Sequence, residues 1–163
     1  MNLLFFLNHS MNRAGMGFKT MALGEKSTAM GNLSQATAAF AFAIGNNSLA
    51  SANSAVALGS ECLASGSSSL ASGYVSYATG PVSLAIGSHC QATAANAQAL
   101  GWGSMATGQE STAIGNACLA SGKNSFAFGD IAKATNDYSY AFGKSPQAKG
   151  KSSYAIGESV IAG

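Results

Sequence analysis

Residues 111–122 read Ser-Thr-Ala-Ile-Gly-Asn-Ala-Cys-Leu-Ala-Ser-Gly, and residues 125–136 follow as Ser-Phe-Ala-Phe-Gly-Asp-Ile-Ala-Lys-Ala-Thr-Asn. Each stretch holds two five-residue units of the form small–x–Ala–x–Gly, the last with Asn136 for Gly, separated by two residues, so that the unit recurs every seven. Working outward, the register holds along nearly the whole chain. Every seventh position from Ala22 to Ala162 is Ala, 21 in succession. Of the 21 positions at the same spacing from Gly17 to Gly157, 17 are Gly, the others being Ala38, Ala52, Ala94 and Asn136. Self-similarity at a fixed period is the signature of a solenoid.

A heptad could also mean a coiled coil, but that needs large apolar residues at two positions in seven. Here the fixed positions are Gly and Ala, and each interior Gly would cost a helix about 1 kcal/mol relative to Ala. The strand reading works instead. Alternation sends the two small positions of each heptad to one side and the two x positions to the other. Because seven is odd, strict alternation would swap the faces from one heptad to the next. A turn at each Gly, in the positive-φ region, is expected to reset the parity, with Asn136 as a natural substitute.

The x positions double the period to fourteen. Before alternate glycines the residue is large and apolar: Met30, Ile44, Leu58, Ile86, Leu100, Ile114, Phe128, Phe142 and Ile156, with Ser72 as the break. Before the other set it is small and polar, as at Thr37, Ser51, Ser65, Thr79, Thr93, Thr107, Ser121 and Thr135, with Lys149 closing the rank. A second apolar rank comes two residues before the first: Phe42, Val56, Leu70, Leu84, Phe126, Tyr140 and Tyr154. One coil thus has two short strands, one with an apolar outer face. About ten coils are predicted over residues 20–163, a rod of about 48 Å at the spacing of strand layers, with residues 1–19 as an N-terminal capping segment. The fold class is all-β, a parallel β-solenoid. An apolar face of this length is larger than a soluble monomer leaves exposed, so the two ranks are expected to form an oligomer interface.

Composition agrees. Ala, Ser and Gly make up 76 of 163 residues, and only 9% of residues are charged. That excludes disorder of the charged kind and leaves too few bulky residues for an ordinary core. No run reaches the roughly 18 apolar residues of a membrane-spanning helix. A net charge of +2 gives no footprint for nucleic acid.

The segments Ser-Leu-Ala-Ile-Gly (83–87), Ser-Thr-Ala-Ile-Gly (111–115), Ser-Phe-Ala-Phe-Gly (125–129) and Ser-Tyr-Ala-Ile-Gly (153–157) resemble the head repeats of trimeric autotransporter adhesins, the YadA-like heads. The resemblance spans roughly residues 20–163. It implies a left-handed β-roll and a homotrimer with the apolar residues facing a common axis. It further implies an outer-membrane, cell-surface location. No signal peptide, neck, stalk or membrane-anchor barrel is legible, and the sequence stops within a repeat, which reads as a piece of a longer chain. Any link to the membrane is therefore expected to run through an anchor outside this sequence.

The remaining residues of chemical interest read blandly. Cys62, Cys90 and Cys118 share one inward rank with Ser48, Ser76 and Ser104. At about 9.6 Å apart by layer spacing they exceed the roughly 7 Å Cα separation that a disulfide allows, so buried free thiols are expected. His9 and His89 have no partner placed by sequence, and Gly101-Trp102-Gly103 reads as a corner that is either plugged or a bump touching a ligand. The acidic residues are scattered singly, so no catalytic pair, metal site or cofactor is expected, and no enzyme. Lys133, Lys144, Lys149 and Lys151 cluster near the C-terminus and form a candidate patch for acidic matrix proteins or sulfated glycans. Leu3 to Leu7 is apolar but lacks the basic start of a signal sequence and is expected to cap the first coil. The functional expectation is an adhesive head. The alternatives are a structural shaft segment of a phage or surface fibre, which downstream sequence would reveal, and an ice-binding solenoid. Ice binding is disfavoured because the rank beside the Ser/Thr rank is mixed.

Overall fold

The computed structural model describes residues 4–8 and 12–163 and is all-β, a parallel β-solenoid. Each coil contributes one five-residue strand, such as Thr112–Asn116, and one two-residue strand, such as Leu119–Ala120. The long strands stack into one sheet of twelve and the short strands into a second sheet of eleven. Eleven long strands run parallel and in strict fourteen-residue register, as in Ala113↔Ala127, Ile114↔Phe128 and Gly115↔Gly129. The parallel ladder begins at Arg13–Phe18, which pairs with Thr28–Asn32, so there are about eleven coils rather than ten. Leu4–Asn8 pairs antiparallel with Arg13–Phe18 at the edge of the long sheet. Leu3 and His9 lie outside the described residues.

The parity reset differs from the sequence expectation. In the rank Gly17, Gly31, Gly45 and onward to Gly157, the glycine lies inside or at the end of the long strand, with φ between +110° and +131°. The chain there is extended and sharply bent, not turned. The tight corner comes two residues later, at a residue in the left-handed region that is almost never glycine: Asn47 (φ 54°), Glu61 (56°), His89 (57°), Ala117 (50°). Each such residue donates its N–H to a carbonyl one coil back, as Glu61 N does to Asn46 O at 2.8 Å. That bond repeats in every coil and offsets the roughly 1–2 kcal/mol cost of left-handed backbone. In the second glycine rank, which contains Gly24 and Asn136, φ is not positive. Asn136 therefore does not sit there for its left-handed tolerance, contrary to the expectation.

Between the sheets the core is one side chain thick. The Ala rank is fully buried from Ala29 to Ala155, joined by Cys62, Cys90 and Cys118 and by ten buried serines. Such an interior is held by ladder hydrogen bonds and by close approach of backbones more than by bulk. Ser27, Ser125, Ser139 and Ser153 donate their hydroxyls to the carbonyl three residues earlier at 2.6–2.7 Å, while Ser69, Ser83 and Ser111 of the same rank have no such partner among the described residues. Because Ala113 has no exposed surface, Ala113→Leu must force the sheets apart. Overpacking of this kind typically costs about 1–3 kcal/mol. A lowered thermal midpoint is expected, and an unchanged one would show that the roll interior lies elsewhere.

Candidate surface of association and recognition

Alternation within the long strands turns the two bulky ranks away from the core. Phe42, Ile44, Val56, Leu58, Leu70, Leu84, Leu100, Ile114 and Phe126 are half-buried, while Ile86, Phe128, Tyr140, Phe142, Tyr154 and Ile156 are exposed. Parallel register places like on like, so each rank forms a ladder, interrupted at Ser72 in one and at Gln98 and Thr112 in the other. Toward the C-terminus the ladder becomes aromatic. Phe128 and Phe142 stack with centroids 4.8 Å apart, and Tyr140 and Tyr154 at 4.9 Å. Phe126, Tyr140, Ala141, Phe142, Tyr154 and Ile156 line a shallow, wholly apolar groove of about 480 Å³. Exposure reaches 63% at Tyr154 and 67% at Ile156, both on the last of the described coils. This face is an uncovered apolar surface that the repeat pattern creates.

The four lysines are spread over four columns. Lys133 stands on the outer face of the short sheet, beside Gln147. Lys149 extends the Ser/Thr rank of that same face, and Lys151 occupies the turn that follows it. Lys144 stands at the other corner, where register aligns it with Asp130 and Glu158, and its ammonium lies 3.3 Å from the Glu158 carboxylate. Asp137 sits in the Lys151 column and accepts the backbone N–H of Lys123 at 2.9 Å. Carboxylates thus interleave with the corner lysines, and Lys133 and Lys149 add positive charge on the short-sheet face.

The inward Ser/Cys rank has a clear local task. Ser48, Ser76 and Ser104 donate their hydroxyls to the carbonyls of Gly59, Gly87 and Gly115 at 2.8–3.0 Å. Cys62, Cys90 and Cys118 point their thiols at the equivalent carbonyls of Gly73, Gly101 and Gly129 at 3.2–3.3 Å. The side chain at this position caps the carbonyl of the strand glycine of the next coil. All three cysteines are buried and free, and desolvation pushes each thiol above its ordinary value. A raised thiol pKa disfavours the thiolate in the folded state. Its contribution to stability is therefore complete below the unfolded value, about 8.5, and is lost as pH rises beyond it. Alkylation of the native protein at pH 8 is expected to be far slower than that of the unfolded chain. Equal rates would mean that the rank is accessible.

The turn rank and its neighbours also place three aromatic rings where the sequence hinted only at one. Tyr74, His89 and Trp102 share the corner that follows the long strand, with ring centroids 5.4 Å apart for Tyr74–His89 and 6.4 Å for His89–Trp102. Sequence reasoning marked Trp102 alone. The fourteen-residue offset from Tyr74 through Ser88 to Trp102 could have revealed the grouping.

A solenoid of fourteen-residue coils with an Ala interior, a strand glycine and one bulky face defines a class of head repeats. The family model for the YadA head domain repeat, a unit of two copies, matches residues 22–48, 41–61, 64–89, 92–117 and 120–145. The chain belongs to the YadA head-repeat family, and is an adhesin-type head of the trimeric autotransporter kind. Compared with curated protein sequences, the chain has no match.

Proposed function

We propose that this chain is a non-enzymatic adhesive head that acts as a homotrimer, with the bulky face of the long sheet buried on the threefold axis and the short sheet and corners turned outward. The observation that carries the reading is the ladder of apolar residues from Phe42 to Ile156, interrupted only at Ser72, Gln98 and Thr112, on one face of a rod whose interior is already filled by Ala. Burying each of these side chains fully stabilises by about 1.5–3 kcal/mol, which over a ladder of this length makes association near-obligate. As the head of a surface-exposed passenger, such a trimer presents the short-sheet face to matrix proteins or glycans of a host or another surface.

Sedimentation equilibrium of the purified chain tests the oligomer, with a mass of three chains expected down to micromolar concentration. A soluble, folded monomer there would defeat the reading. Ligand binding is tested separately by adhesion to matrix and to sulfated glycans. The Lys133, Lys144, Lys149 and Lys151 to Gln variant is expected to keep the trimer. Loss is expected to fall mainly on Lys133 and Lys149, since Lys144 is already paired, and to be steepest at low salt because exposed charges are screened within about 8 Å at physiological ionic strength. If the variant adheres as well as the parent, those lysines are only a solvated face.

A further inference from the structure

The long central stretch between Glu61 and Glu110 carries no charged residue, yet it holds the densest cluster of exposed rings outside the bulky face. Tyr74 and Trp102 occupy the same corner column two coils apart, separated by Ser88. They are 49% and 58% exposed. His89, in the next column, sits edge-on to Tyr74, with an interplanar angle of 73°, and tilted to Trp102, and its Nδ1 lies 2.9 Å from the Ser88 hydroxyl. The platform is anchored through the backbone. His89 N donates to Tyr74 O at 2.9 Å, Gly103 N to Ser88 O at 2.8 Å and Ala117 N to Trp102 O at 2.7 Å.

Beside Trp102 the surface is open. The left-handed column, which holds Glu61, Val75 and His89, continues with Gly103 and Ala117. A Cβ built at Gly103 would meet nothing nearer than 3.9 Å, and its neighbours in the column carry side chains at similar φ. Neither a close approach nor the backbone angle explains glycine there, and its effect is to leave room next to the indole. From Asn32 onward the corner column is otherwise polar, with Asn32 bonded to Asn46 and Asn116 to Asp130 at 2.9 Å each, as suits a column facing water rather than a neighbouring protomer.

We propose that Tyr74, His89 and Trp102, with the open floor at Gly103 and the Ser88 hydroxyl, form a stacking site for a neutral pyranose-containing oligosaccharide. The negative face of an aromatic ring attracts polarised C–H groups, and one side of a β-linked pyranose is a row of such groups bordered by hydroxyls. Two rings about two layers apart, roughly 9.6 Å, with a hydroxyl and an imidazole between them, match a sugar's apolar face and polar rim together. The absence of charge over this stretch selects a neutral sugar over a sulfated one. The proposal deepens the adhesin reading and rests on it only in needing this corner to face outward.

Trp102 is the sole tryptophan, so its emission reports on the site directly. The assembled protein would be titrated with N,N′,N″-triacetylchitotriose, with cellotriose and with a proline-rich peptide, by Trp emission and by calorimetry. A saturable response to at least one saccharide, insensitive to salt, is expected. Tyr74→Ser and Trp102→Asn each install a residue type that the same column carries elsewhere, Ser88 and Asn116, so the fold should be kept. Each should weaken binding about tenfold or more, the effect of truncating a binding hot spot, while Tyr138→Ser, at the opposite corner, should not. The proposal is overturned by no saturable response to any saccharide up to about 10 mM. It is equally overturned by binding of the peptide alone, by binding unchanged in both variants, or by Trp102 emission that acrylamide cannot quench. Sedimentation reports separately on the trimer, so a failure of that reading remains distinguishable from a failure of this one.

Discussion

Gly115→Ala is expected to destabilise the head by about 3 kcal/mol or more per chain, whereas Gly108→Ala, one heptad earlier, costs about 1 kcal/mol. Taken alone, steric space does not separate the two. A Cβ at Gly115 would meet Gly129 O at 2.0 Å, and one at Gly108 would meet Gly122 O at 2.1 Å. Backbone angle does separate them. Gly115 has φ +128°, in a region essentially closed to other residues, whereas Gly108 does not have a positive φ. Holding an L-residue at Gly115 adds strain of about 1–3 kcal/mol to a collision with the backbone of the next coil. The sequence provides the control. All eleven positions of the strand-glycine rank are Gly, and all four exceptions to the heptad glycine, Ala38, Ala52, Ala94 and Asn136, fall in the turn rank. A turn of that kind adjusts to a Cβ, giving up at most a long contact such as Gly108 N to Ala120 O at 3.3 Å, a loss of about 1 kcal/mol. Chemical denaturation of the two variants checks this. Equal losses would show that close approach, not backbone angle, fixes both ranks.

That asymmetry also shows what was legible in the sequence. The Ala rank, the fourteen-residue period and the sidedness of the bulky residues follow from alternation, because parallel in-register stacking copies every choice from coil to coil. The location of the bend was less legible. A glycine every seventh residue suggests a corner at the glycine, yet the chain continues extended through Gly115 and turns at Ala117 (φ 50°). The left-handed residues are as varied as Leu33, Glu61, Val75 and His89, so no residue type marks them. They are held by a backbone hydrogen bond to the previous coil, which leaves no trace in side-chain identity. The four lysines illustrate the converse. Nearness along the chain placed them together, whereas the coil distributes them over two corners and a face, with Asp130, Asp137 and Glu158 among them.

Ile114→Glu is expected to weaken the assembly sharply at neutral pH while leaving the roll itself folded. Ile114 lies on the bulky face between Leu100 and Phe128 of the adjoining coils, and within one chain it is half-buried. A carboxylate there can reach water as long as the chain is alone. In a threefold assembly, symmetry brings three such groups to one height near the axis. Each then loses its hydration at an effective penalty of several kcal/mol per ion, and the three repel one another. Those terms cancel the apolar burial of the few neighbouring residues, about 1.5–3 kcal/mol each, and so weaken the assembly within the ladder, where fraying cannot relieve them. Burial and like charge both raise a carboxyl's pKa in the assembled state. The assembled form is thus favoured once the group is protonated, so as pH falls trimers should begin to return above the ordinary glutamate value of about 4.3 and be fully restored below it. Leu119→Glu, on the outer face of the short sheet, introduces the same charge in the same coil and should leave the trimer intact. Sedimentation velocity of the two variants between pH 4 and pH 8 would decide the matter. Association of Ile114→Glu as tight as that of the parent at neutral pH would remove the bulky face from the subunit interface.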